Sequence, residues 1–137
     1  MVDPQERARK EHERVMKARE RLRFRVYAAA RSAVLATEFF RSHTELYEPE
    51  IVVNVYAPYV DVNASLTEGQ VRILPVNGRA AELNRFAEEL RAGLQKAATS
   101  LGLAFTEDPS RYGGSQPVML VDVPCGYHAI LLRPGTE

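Results

Sequence analysis

Asp122, Cys125 and His128 fall within the seven-residue span of VDVPCGYHAI that runs from Asp122 to His128. A thiol is mostly protonated at neutral pH, and an imidazole oriented by a carboxylate can take its proton. These three residue types therefore match what a cysteine nucleophile requires. The spacing matches no cysteine hydrolase, because those enzymes draw their partners from distant parts of the chain. The preferred reading is structural: Pro124-Cys125-Gly126 forms a tight turn closing a hairpin, with Asp122 and His128 on strand faces. Cys125 and His128 also have the spacing of half a zinc site. Zinc needs four ligands, or three and a water, and the sequence adds only His12 and His43 with no second cysteine. No metal ligand, cofactor site or catalytic residue is assigned.

Other pairings are weaker. Glu88 and Glu89 would point about 100° apart on a helix, so they make no ready acid–base dyad. Glu107-Asp108 reads as solvated surface. Gly113-Gly114, beside Arg111, could present backbone N–H groups to an anion. The stretch lacks the lysine and the strand–loop–helix setting of a phosphate loop, so it reads as a hairpin or lid loop.

The stronger signal is charge. Residues 1–31 hold ten Lys/Arg and five Asp/Glu, a net of +5, while residues 32–137 hold eight and thirteen, a net of −5. Arg7, Lys10, Arg14, Lys17, Arg21 and Arg25 step by three or four, so on a helix they form one basic stripe about 27 Å long. Beside it runs an apolar edge of Val15, Ala18 and Leu22. Glu6–Lys10 and Glu13–Lys17 have the favourable acid-first spacing for i,i+4 pairs. Three roles fit such a segment. It can be a solvated helix whose charges serve solubility. It can dock on an acidic protein surface, including the body of a neighbouring copy, with the apolar edge giving affinity and the basic stripe setting register. It can lie along nucleic-acid phosphates, although five acids dilute the field and no nucleic-acid-binding signature accompanies it. Phe24 and Tyr27 could stack on bases but read as core.

The elements that must carry these residues follow from periodicity. Asp3-Pro4 is a helix start, and no Gly or Pro occurs from there to Pro49. Val15, Ala18, Leu22, Val26, Ala29, Ala33, Ala36 and Phe40 keep to one face, predicting a helix over about 4–42. Such a rod, about 57 Å long, exceeds a body of radius of gyration near 13 Å, so its charged first half should protrude and its apolar half (Phe24 to Phe40) should dock. Residues 51–66 read as extended, with Pro58 either separating two strands or kinking one. If they form one bent strand, Tyr56 belongs with the core. "TEGQ" reads as a turn and "VRILPV" as a return strand. Leu83, Ala87, Leu90, Leu94, Ala97 and Leu101 mark a second helix that Gly102-Leu103 should stop. "LAFTE", "PVMLVDV" and "YHAILLR" read as strands.

The expected fold is α+β: a long N-terminal helix and a second amphipathic helix on a mainly antiparallel sheet of five or six strands. The domain plan is a basic helical arm over 1–23, continuous with the next helix, and a single domain over 24–137. The element order is loosely similar to that of ring-forming phage head–tail joining proteins, a likeness of order alone with no motif behind it. One cysteine excludes an intrachain disulfide, and no apolar run is long enough for a membrane span. The expectation is a cytoplasmic, non-enzymatic assembly or interaction protein. Its binding residues are Arg7, Lys10, Arg14, Val15, Lys17, Ala18, Arg21, Leu22 and Arg25, and its partner is a protein, itself included. Nucleic acid is the alternative partner, a cysteine enzyme the third reading, and membrane is not expected.

Overall fold

The computed structural model describes residues 3–43, 48–107 and 114–135. Helix α1 runs unbroken from Pro4 to Leu35, about 48 Å at the standard rise. Its start is built as the sequence implies: the Asp3 side chain accepts from the Gln5 N–H at 3.0 Å, and Pro4 occupies the first turn, where a missing N–H costs nothing. Only its second half enters the core, through Val26, Ala30 and Val34.

The helix ends earlier than the periodicity implied. Thr37 is buried, and both its N–H (3.1 Å) and its hydroxyl (2.7 Å) donate to the Val34 carbonyl. Threonine satisfies backbone groups locally in this way and competes with helix continuation. Thr37 then stands at the N-cap position, without a side-chain capping bond, of a short helix α2, Glu38–Ser42, which buries Phe39 and Phe40.

A hairpin follows. Strands β1 (Glu50–Val55) and β2 (Tyr59–Ser65) pair antiparallel, and Pro58 lies in the connection between them. Tyr56 is at the tip, 44% exposed and 5.0 Å from the Tyr59 ring, rather than in the core. The expected return strand after it does not form. Residues Glu68–Arg72 make a helical turn, α3, because Thr67 and Gln70 build a reciprocal capping box. The threonine accepts from the Gln70 N–H while the Gln70 side chain accepts from the Thr67 N–H.

Helix α4, Arg79–Ser100, buries the stripe Leu83, Phe86, Ala87, Leu90, Leu94 and Ala98. It stops as expected. Gly102 takes a positive φ of 74°, its N–H reaches Thr99, and the N–H of buried Leu103 reaches Ala98 at 2.8 Å. Strands β3 (Ala104–Thr106), β4 (Gln116–Leu120) and β5 (Val123–Leu132) complete the sheet, in the order β1-β2-β5-β3 with β4 also on β5. All pairings are antiparallel.

The fold is thus α+β: a long N-terminal helix and a second amphipathic helix pack on one antiparallel sheet of five strands among the described residues. Helix α1 lies against β1 and α4 against β5 and β3. Val60, Val62 and Ala64 of β2 and Tyr127, Ala129 and Leu131 of β5 point into the core between the layers. None of the helices is long and apolar enough to cross a membrane among the described residues.

Candidate functional site

Every residue from Asp3 to Ala18 is exposed, so the first half of α1 keeps its charges in water. The acids in it do not dilute its charge evenly. Glu6 pairs with Lys10 at 3.5 Å and sits 4.0 Å from Arg9, Glu13 pairs with Arg9 at 2.9 Å, Glu11 with Arg14, and Glu20 with Arg23 at 2.5 Å. The hydrogen bond from Arg14 holds the Glu11 carboxyl below the ordinary carboxylate range, and that from Arg23 does the same for Glu20. Glu13 turns back to Arg9 rather than forward to Lys17. Arg7, Lys17, Arg21 and Arg25 are therefore left without an acidic partner among the described residues. These four belong to the basic stripe; its other two members, Lys10 and Arg14, are internally paired.

The apolar edge is divided. Val15 is 41% exposed, and with Ala18 and Arg19 it lines a groove facing Ala57, Arg133 and Pro134 at the far end of the sheet. Leu22 is half-buried against the body's own core. Phe24, read as core, is instead 59% exposed, with the Arg23 guanidinium 4.9 Å over its ring. Tyr27 is half-buried against the core.

The structure does not bring Asp122, Cys125 and His128 together. The hairpin turn falls at Val121 and Asp122, both at positive φ (50° and 64°), and Pro124-Cys125-Gly126 lies inside β5. A two-residue turn with both residues left-handed matches the twist of the flanking strands. Its usual signal is Asn-Gly, and neither residue is present here. Within β5, Cys125 points into the core, 4% exposed, and His128 points to the opposite face. Burial pushes the Cys125 thiol above its ordinary pKa, the reverse of what a nucleophile needs. His128 Nε2 contacts Asp61 on β2 instead, a pairing that β2–β5 register creates and sequence distance conceals. No cluster of three metal-ligating side chains occurs among the described residues.

The remaining pairs of acids are occupied singly. Glu89 accepts from the Glu38 N–H at 3.2 Å and Glu107 pairs with Arg91, while Glu88 is exposed. Asp108, Arg111 and Gly113, and with them most of the glycine-bearing loop, lie outside the described residues. Comparison with known proteins adds no relative: no family model matches the chain, and neither a curated protein nor a solved structure matches it.

Proposed function

We propose that this chain is a non-enzymatic assembly or interaction protein whose N-terminal helix docks on an acidic protein surface. The body of a neighbouring copy, at a net of −5, is such a surface. One observation carries the reading: Arg7, Lys17, Arg21 and Arg25 stand on a continuous helix with no acidic partner among the described residues, although the same segment pairs its own acids elsewhere. Unpaired cations held about 27 Å apart from first to last on a rigid rod can set register on a partner and steer its approach. Partly exposed Val15 and Met16 add apolar area beside them.

The test is zero-length crosslinking of lysine to carboxylate, read by mass spectrometry. At low salt, Lys17 couples to acids within residues 32–137 of another copy, and these products vanish at about 500 mM salt, where the Debye length is only a few ångströms. Finding only the intrahelical Glu6–Lys10 product counts against docking on a second copy. The same unpaired cations favour nucleic acid as the second reading. A DNA or RNA shift at about 50 mM salt, lost on Arg7→Glu with Lys17→Glu and Arg21→Glu, would replace the protein partner with phosphates.

A further inference from the structure

Strand β1 ends the sheet, and no described strand pairs with its outer edge. Tyr56 N–H donates to the Tyr59 carbonyl at 2.8 Å, which makes Tyr56 and Tyr59 a hydrogen-bonded pair. Antiparallel alternation then makes Asn54/Asp61, Val52/Asn63 and Glu50/Ser65 the next bonded pairs. Ile51, Val53 and Val55 consequently direct their N–H and C=O groups away from β2. No partner meets those groups among the described residues.

Apart from Glu50 at its first position, nothing in β1 blunts this edge. The strand is Glu-Ile-Val-Val-Asn-Val, with no lysine, no proline and no bulge, and its register against β2 is regular throughout. The surface beside it is apolar as well. Arg31 holds Glu48 just before β1, and Val15, Ala18 and Arg19 face Ala57 just after it. Helix α1 thus runs antiparallel along β1, which brings Phe24 alongside the strand's middle. Glu20, Phe24, Tyr27 and Arg31 step by four, three and four and share that side of the helix. Two of its charges are matched, Glu20 by Arg23 and Arg31 by Glu48, while Lys17 and Arg21, three residues before Glu20 and Phe24, have no acidic partner among the described residues. Phe24 remains 59% exposed on the helix side of the sheet, and Val52, on the opposite face, is 56% exposed.

We infer that β1 pairs edge to edge with β1 of a second copy, about a two-fold axis at Val53, joining the two sheets into one. The strand's own pattern selects a second copy over an unrelated peptide. In an antiparallel pair, residues opposite each other share a face. Centring on Val53 puts Ile51 opposite Val55 of the second copy and Val53 opposite its equivalent. All three outward-pointing residues then exchange bonds, about six in total. Sliding by two residues toward the N-terminus sets Val55 opposite Pro49, which has no N–H to give. The same axis places Phe24 near Phe24 of the second copy. This interface uses backbone and apolar groups, and it stands whether or not the basic arm docks.

Amide hydrogen exchange on the full chain tests it. Between about 5 µM and 500 µM, exchange at Ile51, Val53 and Val55 slows by ~10-fold or more, while Val52 and Asn54, already bonded to β2, change little. The slowing persists at about 500 mM salt, which separates this contact from docking of the charged arm. A Phe24→Cys variant, altered at an exposed site, crosslinks into a covalent dimer on mild oxidation, and Val76→Cys, exposed elsewhere, does not. Equal exchange of the three amides at both concentrations would overturn the inference, as would equal crosslinking of the two variants.

Discussion

Gly93 of α4 lies directly against Ala33 of α1: a Cβ placed on Gly93 would stand 2.9 Å from the Ala33 Cβ. The two helices cross where neither has bulk, and that closeness allows both to lie on one face of a narrow sheet. Replacing Gly93 by valine must push the helices apart. Overpacking of this kind costs about 1–3 kcal/mol, more than the helix propensity gained. The variant should unfold several degrees lower in a thermal melt. Gly126→Ala should be worse, because its Cβ would stand 2.6 Å from the Ser65 Cα, a backbone atom that cannot step aside. A Gly126→Ala protein as stable as the parent would contradict the pairing of β2 with β5 at that end.

The β4–β5 turn stores conformational strain. Val121 and Asp122 both sit at positive φ, and Val121 is also 87% exposed. Left-handed backbone costs an ordinary L-residue about 1–2 kcal/mol. Val121→Asn with Asp122→Gly supplies the residues that this turn type prefers. Urea unfolding should show the double variant more stable by about 1–3 kcal/mol, with an unchanged slope.

Alkali should weaken the fold. Burial raises the pKa of both Cys125 and Tyr127, so each gives up its proton more easily from the unfolded chain. Their contribution is complete below about pH 8.5, the free thiol value, and is lost as pH rises through the folded values. Denaturant midpoints measured from pH 7 to pH 10.5 should therefore decline above about pH 8.5. Cys125 should also resist alkylation at pH 8 until denaturant is added. Rapid alkylation of the folded protein would mean that the thiol is accessible and ionised.

Strong periodicity carried the fold from sequence. The α4 stripe ending in Gly102-Leu103, the Asp3-Pro4 start of α1 and the alternation from Val60 to Leu66 all appear as the elements they imply. What stayed hidden depends on single side chains or on contacts between distant segments. Thr67 and Gln70 are a capping box three residues apart, yet the glycine between them reads as a turn. The turn at Val121-Asp122 carries none of the glycine or proline that marks turns, whereas Pro124-Cys125-Gly126, which does, lies within a strand. Thr37 ends α1 through a local hydrogen bond that periodicity does not register. The basic stripe was legible as spacing. Which cations stay unpaired was not, since Glu13 has both Arg9 and Lys17 in reach and only the fold shows its choice. The contact of His128 with Asp61 spans 67 residues and arises only from strand register.

The central claim is that Arg7, Lys17, Arg21 and Arg25 hold an acidic protein surface, and its most direct test is mass in solution by sedimentation equilibrium. The full chain and a variant carrying glutamate at all four positions are compared at about 50 mM and about 500 mM salt. If the neighbouring copy is the partner, the parent's average mass falls as salt rises, and the variant shows the high-salt mass already at low salt. A parent mass that neither salt nor the four substitutions alter would contradict the claim.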